Sequence, residues 1–378
     1  VYGSKNGWER PLWFAPEGVA REDQLDFLEP GWLEFVSEEH RAVRERVALI
    51  DQTSFAKFEI FGAGVVEFLQ TLCVSNMDKP NGSVLYTQMC NSHGGIEADV
   101  TFIRLSSDHF YMVTGSGFGV HDSEWLKSKL PTDGTIHLIE VTSGRAVINV
   151  VGPQSRNLLS KVSETDVSGE TIPFATAKEI IIGAAPVLAS RIGYVGELGF
   201  ELHIPSEFAL HVYKELWQAG QEMDIANVGY RAIESLRMEK GYVYWSGDIS
   251  PDYTPLEAGL GFRVHFDLKE DFLGRQALES QLKNGLDRKL FTFTSEQFLP
   301  LTGGETILES GRVVSLATSV AYGFTVKKTI IRGYLDRLYW GKTEFTVEIF
   351  GQRYPVKLAS SPVYDPKNLA LKGYEKKW

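Results

Sequence analysis

Two β-rich runs meet at a pair of glycines, and that junction restricts the fold more than any other stretch. Tyr86, Thr87 and Met89 close one extended run, Val100, Phe102, Ile103 and Leu105 belong to the next, and Asn91-Ser92-His93-Gly94-Gly95 lies between them. β-branched and aromatic side chains favour strands. Adjacent glycines reach backbone angles closed to other residues, so the chain doubles back here. Strands joined this tightly run antiparallel, because a parallel pair needs a crossover of about a dozen residues or more. The construction recurs. Ser106-Ser107-Asp108 leads into a strand from Phe110 to Thr114, and Thr142-Ser143-Gly144 separates runs 136–141 and 146–151, which read as paired strands.

Helices are interleaved with these strands. Ser37 reads as an N-cap, with Val43, Val47 and Ile50 on one helical face. Further stripes carry Val65, Leu69 and Leu72, then Phe208, Val212, Leu216 and Ala219, and a helix from Tyr230 to Lys240 stops at Gly241. The pattern predicts an α+β fold of antiparallel sheets with helices on one face. From Lys289 onward the chain is nearly all strand and turn, which predicts a small β-barrel or sandwich. This divides the 378 residues into a leading segment 1–36, an α+β core 37–284 and a β-barrel domain 285–378.

Several function classes are excluded. A net charge of −11 argues against a nucleic-acid groove. Cys73 and Cys90 are the two cysteines, too few for a disulfide framework or a cysteine zinc site, and no HExxH pair exists, so no metal site is expected. No apolar run approaches the roughly 20 residues that cross a bilayer, so no membrane partner is expected. Val1-Tyr2-Gly3-Ser4-Lys5 is no signal peptide and reads as the middle of a longer chain. A strand followed by Gly62-Ala63-Gly64 and a helix imitates a dinucleotide fingerprint, but Glu67 stands where the third glycine belongs and would face a pyrophosphate.

Two carboxylates draw a chemical reading. Asp99 emerges from the glycine turn at the start of a half-buried strand, a placement that suits a catalytic base and equally suits a turn-capping residue. Glu197, framed by Gly196 and Leu198-Gly199, is either a solubilising hairpin tip or an acceptor for a flat N–H edge such as that of a pterin, guanine or guanidinium. Tyr194 lies close enough in sequence to stack on the same ligand. Gly115-Ser116-Gly117-Phe118-Gly119 brings backbone near a ligand or merely connects. Arg231 and Glu234 form an i,i+3 surface pair by default, and Trp245 a core aromatic.

The segments GGIEAD (94–99), YVGELGFELHIP (194–205), GYRAIESLRMEKGY (229–242), DYTPLEAGLGF (252–262) and GRVVSLATSVAYGFTVKKTIIRGYL (311–335), in this order, resemble the folate-binding aminomethyltransferase superfamily typified by the glycine cleavage T-protein. GSKNGWERPLWF (3–14) and SPVYDPKNLALKGY (361–374) are similar to the folate-binding half of sarcosine and dimethylglycine dehydrogenases. The resemblance implies a three-lobed ring of antiparallel sheets with helices around a tetrahydrofolate channel, plus the C-terminal β-barrel. It implies Asp99 as the essential acid and Glu197 as the grip on the pterin edge, flanked by Tyr194. Tyr86, Met89, Thr114, Gly115, Arg231 and Trp245 complete the cofactor contacts it implies. The family's helix arginine aligns with Ile233 rather than Arg231, its asparagine falls at Gly115, and its terminal tyrosine has no clear match near Tyr364.

The activity that the resemblance implies is tetrahydrofolate-dependent one-carbon transfer from a small N-methyl donor or its iminium. No flavin fingerprint is present, so FAD belongs on a separate or missing dehydrogenase domain or subunit. The compartment implied is the mitochondrial matrix in a eukaryote, otherwise the cytoplasm. Segments 1–11, 53–60 and 204–221 are also similar to the regulatory subunit of pyruvate dehydrogenase phosphatase, so a non-catalytic regulator is the alternative, as is a free-standing folate-dependent demethylase.

Overall fold

The structure, a computed structural model, describes every residue except 27, 29 and 374–378, so the end of the segment closing at Tyr374 lies outside the described residues. Three large sheets organise the chain. The first has five antiparallel strands in the order Val84–Cys90, Ile96–Ser106, His109–Thr114, Ala56–Gly62, Ile136–Glu140. Its two faces are separated by the period-two alternation of a strand. Ala98, Val100 and Phe102 pack with Phe68, Leu69 and Leu126 of the helices Val65–Gln70 and Gly119–Lys127. Tyr86, Asp99 and Thr101 therefore point the other way, toward the middle of the molecule.

The second sheet has six strands in the order Ala177–Ile182, Ala185–Ser190, Gly199–Pro205, Arg145–Val151, Ala48–Asp51, Ala226–Val228. Phe200, Leu202 and Ile204 bury against Leu158, Val212 and Leu216 of the helices Ser155–Val162 and Ala209–Gly220. A separate apolar cluster joins Ile50, Val151 and Val228 to Val36, Val43, Ala232 and Leu236 of the helices Leu33–Glu45 and Tyr230–Glu239. Pairing is antiparallel except at Ala226–Val228, which runs parallel to Ala48–Asp51.

The third sheet has seven antiparallel strands in the order Arg312–Leu316, Thr306–Glu309, Phe345–Ile349, Gln352–Ala359, Arg288–Ser295, Lys328–Asp336, Ser319–Gly323. It curls until Gly333 touches the far strands. A Cβ there would sit 2.8 Å from Ile307 Cδ1 and from Ser315 Oγ. The two outermost strands do not pair with each other, so the expected barrel is a half-barrel, an open sheet rolled on itself.

Two local readings change. The first helix begins at Leu33, with Trp32 rather than Ser37 at its N-cap, and it ends at Glu45. Val36 extends the apolar stripe one turn earlier, whereas Val47 and Ile50 lie beyond the helix, Ile50 in the following strand. Strands Ile136–Glu140 and Arg145–Val151 are not partners. The 3₁₀ turn Thr142–Gly144 carries the chain from the first sheet to the second, fixed by Lys57 N–H donating to Thr142 Oγ1 at 3.1 Å.

Both ends of the described chain fold back on this frame. The leading segment forms a hairpin, Tyr2–Lys5 with Trp8–Pro11. Beyond it, buried Trp13 stacks on Phe35 at 5.2 Å and Phe14 N–H donates to Glu39 Oε1. At the other end, residues 360–373 cross from the third sheet to the second. Tyr364 Oη donates to Glu197 Oε1 at 2.5 Å, and Arg191 Nη2 donates to Leu371 O at 3.0 Å. Lys240 Nζ donates to Asp365 O and Asn368 Oδ1, both at 2.8 Å.

Candidate functional site

The inward faces of the three sheets enclose a cavity of about 640 Å³. The first sheet contributes Tyr86, Asp99 and Thr101, the second Glu201, and the third Leu290 and Arg332. The helix Tyr230–Glu239 adds Tyr230, Ile233 and Glu234, and the loop after it adds Tyr242 and Trp245.

Asp99 reaches this wall because of the turn before it. Gly94 has φ +83°, and a Cβ on Gly95 would collide with the Pro251 carbonyl, so both positions require glycine. The strand beyond that turn pairs Asp99 with Gln88, whose Nε2 donates to Asp99 Oδ1 at 2.7 Å. Asp99 is half-buried, and its accessible face belongs to the cavity. Burial pushes its pKa up to about 6, against hydrogen bonds from Gln88 and Tyr86 that favour the anion, with the nearby Asp122 charge adding to the rise. A carboxyl that titrates there can take up and return a proton near neutral pH.

Glu201 is the second acid on the wall, and the sequence reading missed it. Its neighbours Phe200 and Leu202 enter the core, so alternation turns Glu201 to the cavity. Burial alone raises its pKa to about 7. Among the described residues nothing hydrogen-bonds or ion-pairs with it. On either side across the sheet lie Ser190 and Asn149, both buried, with Ser190 Oγ and both Asn149 amide atoms unpartnered. A ligand able to donate hydrogen bonds would complete such an acid.

Glu197 is placed elsewhere. It is 1% exposed and off the cavity wall, where Arg44 Nη1 donates to its Oε1 at 3.2 Å and Tyr364 Oη at 2.5 Å. Arg44 also donates to Glu239 Oε2 at 2.9 Å, so Glu197 closes a buried ion-pair network beneath the site. The turn Tyr194–Leu198 leaves the period of the strand, which is why its direction could not be read from alternation.

The other expected residues divide. Tyr86, Thr114, Gly115, Tyr194 and Trp245 line the cavity. Thr114 Oγ1 is turned to Asp122 Oδ2 at 2.6 Å, and Tyr194 Oη donates to Val243 O at 2.6 Å, so Tyr194 presents its ring, which stacks on Tyr242. Trp245 packs on Phe118 at 4.6 Å, with its Nε1 buried and unpartnered. Met89 does not reach the site: it faces Ala98 in the helix-side core, fully buried. Arg231 does not reach it either, being drawn away by Asp23 Oδ2 at 2.5 Å and by the Trp32 ring at 4.3 Å. Glu234 pairs with Arg237 instead of Arg231. No cluster of metal-ligating side chains exists among the described residues. No helix among the described residues is long and apolar enough to cross a membrane.

Residues 1–268 match the GCVT N-terminal domain, and residues 288–365 match the glycine cleavage T-protein C-terminal barrel domain. The chain is 33% identical to human mitochondrial sarcosine dehydrogenase over 99% of its own length and 46% of that protein. It is 33% identical to the mitochondrial pyruvate dehydrogenase phosphatase regulatory subunit of Mus musculus over 95% of its length and 44% of that protein. It therefore spans about half the length of these curated relatives. The crystal structure of glycine cleavage system aminomethyltransferase T from Bartonella henselae superposes with a TM-score of 0.82 at 23% identity, covering 97% of this chain and 94% of that one, which establishes a shared fold.

Proposed function

The chain belongs to the folate-binding aminomethyltransferase (glycine cleavage T-protein) family, and from that premise we propose that its central cavity binds tetrahydrofolate and passes a one-carbon unit to it. The observation that carries the reading is that Asp99 and Glu201 face one cavity from two different sheets, both titrating near neutrality and neither ion-paired with a cation among the described residues. The residues fit the group. An isolated carboxyl suits the flat N–H edge of a pterin, with two acceptor oxygens for two donors. Aromatic walls at Tyr194, Tyr242, Phe118 and Trp245 suit a planar ring.

Bound tetrahydrofolate would supply the nucleophilic amine. Glu201 would then orient the ring, and Asp99 would accept the proton that leaves the amine as its bond to the iminium carbon forms, then return it to the donor nitrogen as the bond between that nitrogen and the carbon breaks. Gln88 holds the Asp99 carboxylate in position for that transfer. The aromatic side chains keep water from an electrophilic carbon. The donor is an N-methyl amine or its iminium. Forming the iminium needs an oxidant, and a flavin-dependent dehydrogenase domain or subunit fills that role in this proposal, supported by the half-length match to sarcosine dehydrogenase. The word mitochondrial in the names of both relatives supports a mitochondrial location, the matrix in this proposal if the source is a eukaryote.

The similarity to the phosphatase regulatory subunit favours a second reading, a binding protein without transfer. Anaerobic calorimetric titration with tetrahydrofolate separates the two. Binding is expected, and Asp99→Ala should retain it while losing one-carbon transfer. A folded sample that binds no tetrahydrofolate overturns the proposal and favours the regulator.

A further inference from the structure

Among the described residues, two of the four buried arginines are satisfied by carboxylates and two, Arg191 and Arg332, reach only backbone carbonyls. Arg44 reaches Glu197 and Glu239, and Arg237 reaches Asp248 at 2.8 Å. Arg10 is different. It lies on the second strand of the N-terminal hairpin and lines the cavity, its guanidinium 3.2 Å from the centroid of the Tyr230 ring. Its Nε is buried with no partner, and among the described residues no hydrogen-bond acceptor or ion-pair partner meets its guanidinium. The Tyr230 face offers the cation an attractive surface but satisfies none of its five N–H donors.

A second cation stands near it. Lys5, on the first strand of the same hairpin, also lines the cavity, is exposed, and has no ion pair among the described residues. Opposite them is the loop Gly115-Ser116-Gly117. A Cβ on Gly117 would meet Asn6 Nδ2 at 2.9 Å and Lys5 Cε at 3.9 Å, so the hairpin tip rests on that loop. Ser116 Oγ bonds Ser54 Oγ at 2.8 Å and fixes the loop in turn. Exposed Lys5 and half-buried Arg10 therefore border the cavity where it opens. Of the acids on its wall, Asp99 lies beside Gln88, Glu201 has no ion pair among the described residues and Glu234 pairs with Arg237, while Asp51 acts on Arg10 without forming an ion pair.

We infer that Arg10 and Lys5 form a carboxylate-binding site at the mouth of the cavity. Arg10 presents its paired N–H donors to the two carboxylate oxygens while Tyr230 supports the back of the guanidinium, and Lys5 adds a mobile second charge. The inference rests on the folate reading for the ligand's identity. Two sources offer this chemistry, the glutamate tail of tetrahydrofolate and the carboxylate of an N-methyl amino acid donor.

The test uses calorimetric titration of the wild-type chain, Arg10→Gln and Lys5→Gln with three probes. These are tetrahydrofolate, 6-methyltetrahydropterin (which has the ring but no carboxylate) and N,N-dimethylglycine. Loss of a bidentate charged contact in Arg10→Gln should weaken a carboxylate-bearing probe roughly 10- to 100-fold while leaving 6-methyltetrahydropterin unchanged. A smaller loss in the same direction is expected for Lys5→Gln, whose exposed side chain can change without disturbing the core. Loss confined to tetrahydrofolate supports the site and assigns it to the tail, whereas loss confined to dimethylglycine supports it and assigns it to the donor. Unchanged affinity for both acids, or an equal fall for the carboxylate-free pterin, overturns the site and leaves the folate reading intact. A wild-type chain that binds dimethylglycine through Arg10 but neither pterin upholds the site and overturns the folate reading.

Discussion

Replacing Glu201 by glutamine tests the site at its most isolated charge. The wild-type carboxyl titrates at about 7 because burial disfavours its anion. A ligand edge of N–H donors selects the ionised form, so observed affinity tracks the ionised fraction. With that midpoint, about a tenth of the protein is competent at pH 6 and about nine tenths at pH 8, so tetrahydrofolate should bind roughly tenfold more tightly at pH 8. Binding at pH 7 should release about half a proton, measurable by repeating the calorimetry in two buffers of different ionisation enthalpy. Glu201→Gln removes the charge and turns an amide N–H₂ toward ligand donors. A lost charged hydrogen bond and an unpaired donor together cost about 2–4 kcal/mol, roughly 30- to 1,000-fold in affinity, with no pH dependence left on this account. Asp99 shares the cavity and titrates at about 6, so the series is repeated in Asp99→Asn to isolate the Glu201 component. Wild-type affinity that stays flat between pH 6 and 8, or a glutamine variant that binds within about threefold of wild type, would refute the assignment.

Two other outcomes are expected from the buried acids. Glu197→Gln should lower the melting temperature, because it weakens a buried contact with Arg44 and Tyr364 by about 1–3 kcal/mol, while tetrahydrofolate affinity stays within about twofold; an affinity loss without a stability loss would return Glu197 to the pocket. Asp99→Asn should abolish transfer yet stabilise the fold in a pH-dependent way. The folded pKa is raised from 3.8 to about 6, so the stabilising neutral form persists below about pH 4 and is lost as pH rises through 6. The asparagine variant should therefore melt with wild type at pH 4 and be more stable at pH 8, by at most about 3 kcal/mol because water in the cavity screens the charge; identical melting at both pH values would show that Asp99 is not desolvated.

Much of this arrangement is legible in the sequence, for physical reasons that differ by residue. Asp99 could be read because a glycine pair and a strand pattern define both where it sits and why a carboxyl there is unusual. The α+β layout comes from tight turns between β-rich runs. Glu201 was equally available, since Phe200, Leu202 and Ile204 mark the core face and leave Glu201 opposite, but the glycine frame of nearby Glu197 is the more conspicuous signal and masks it. Met89 fails by the same rule, because Tyr86 and Gln88 take the cavity face and leave Met89 to the core. Arg231 and Arg10 were not decidable from spacing. Arg231 turns away because Asp23, 208 residues earlier, takes its guanidinium, and Arg10 is drawn to Tyr230 across a comparable stretch of chain. Contacts of that range leave no periodic trace. The split of strands Ile136–Glu140 and Arg145–Val151 between two sheets is hidden likewise, since a short polar connection looks the same whether it turns a hairpin or changes sheets.

The segment 360–373 has a consequence for the integrity of the cavity. Ser361, Pro362, Asn368 and Leu371 form part of the cavity wall, and the carbonyls and carboxylate of this segment meet Lys240 and Arg191. Without this stretch in place the chamber is breached, and Lys240 and Arg191 lack these partners. The wall is complete only when this stretch closes over the second sheet, so a change that loosens it opens the cavity without touching its acids.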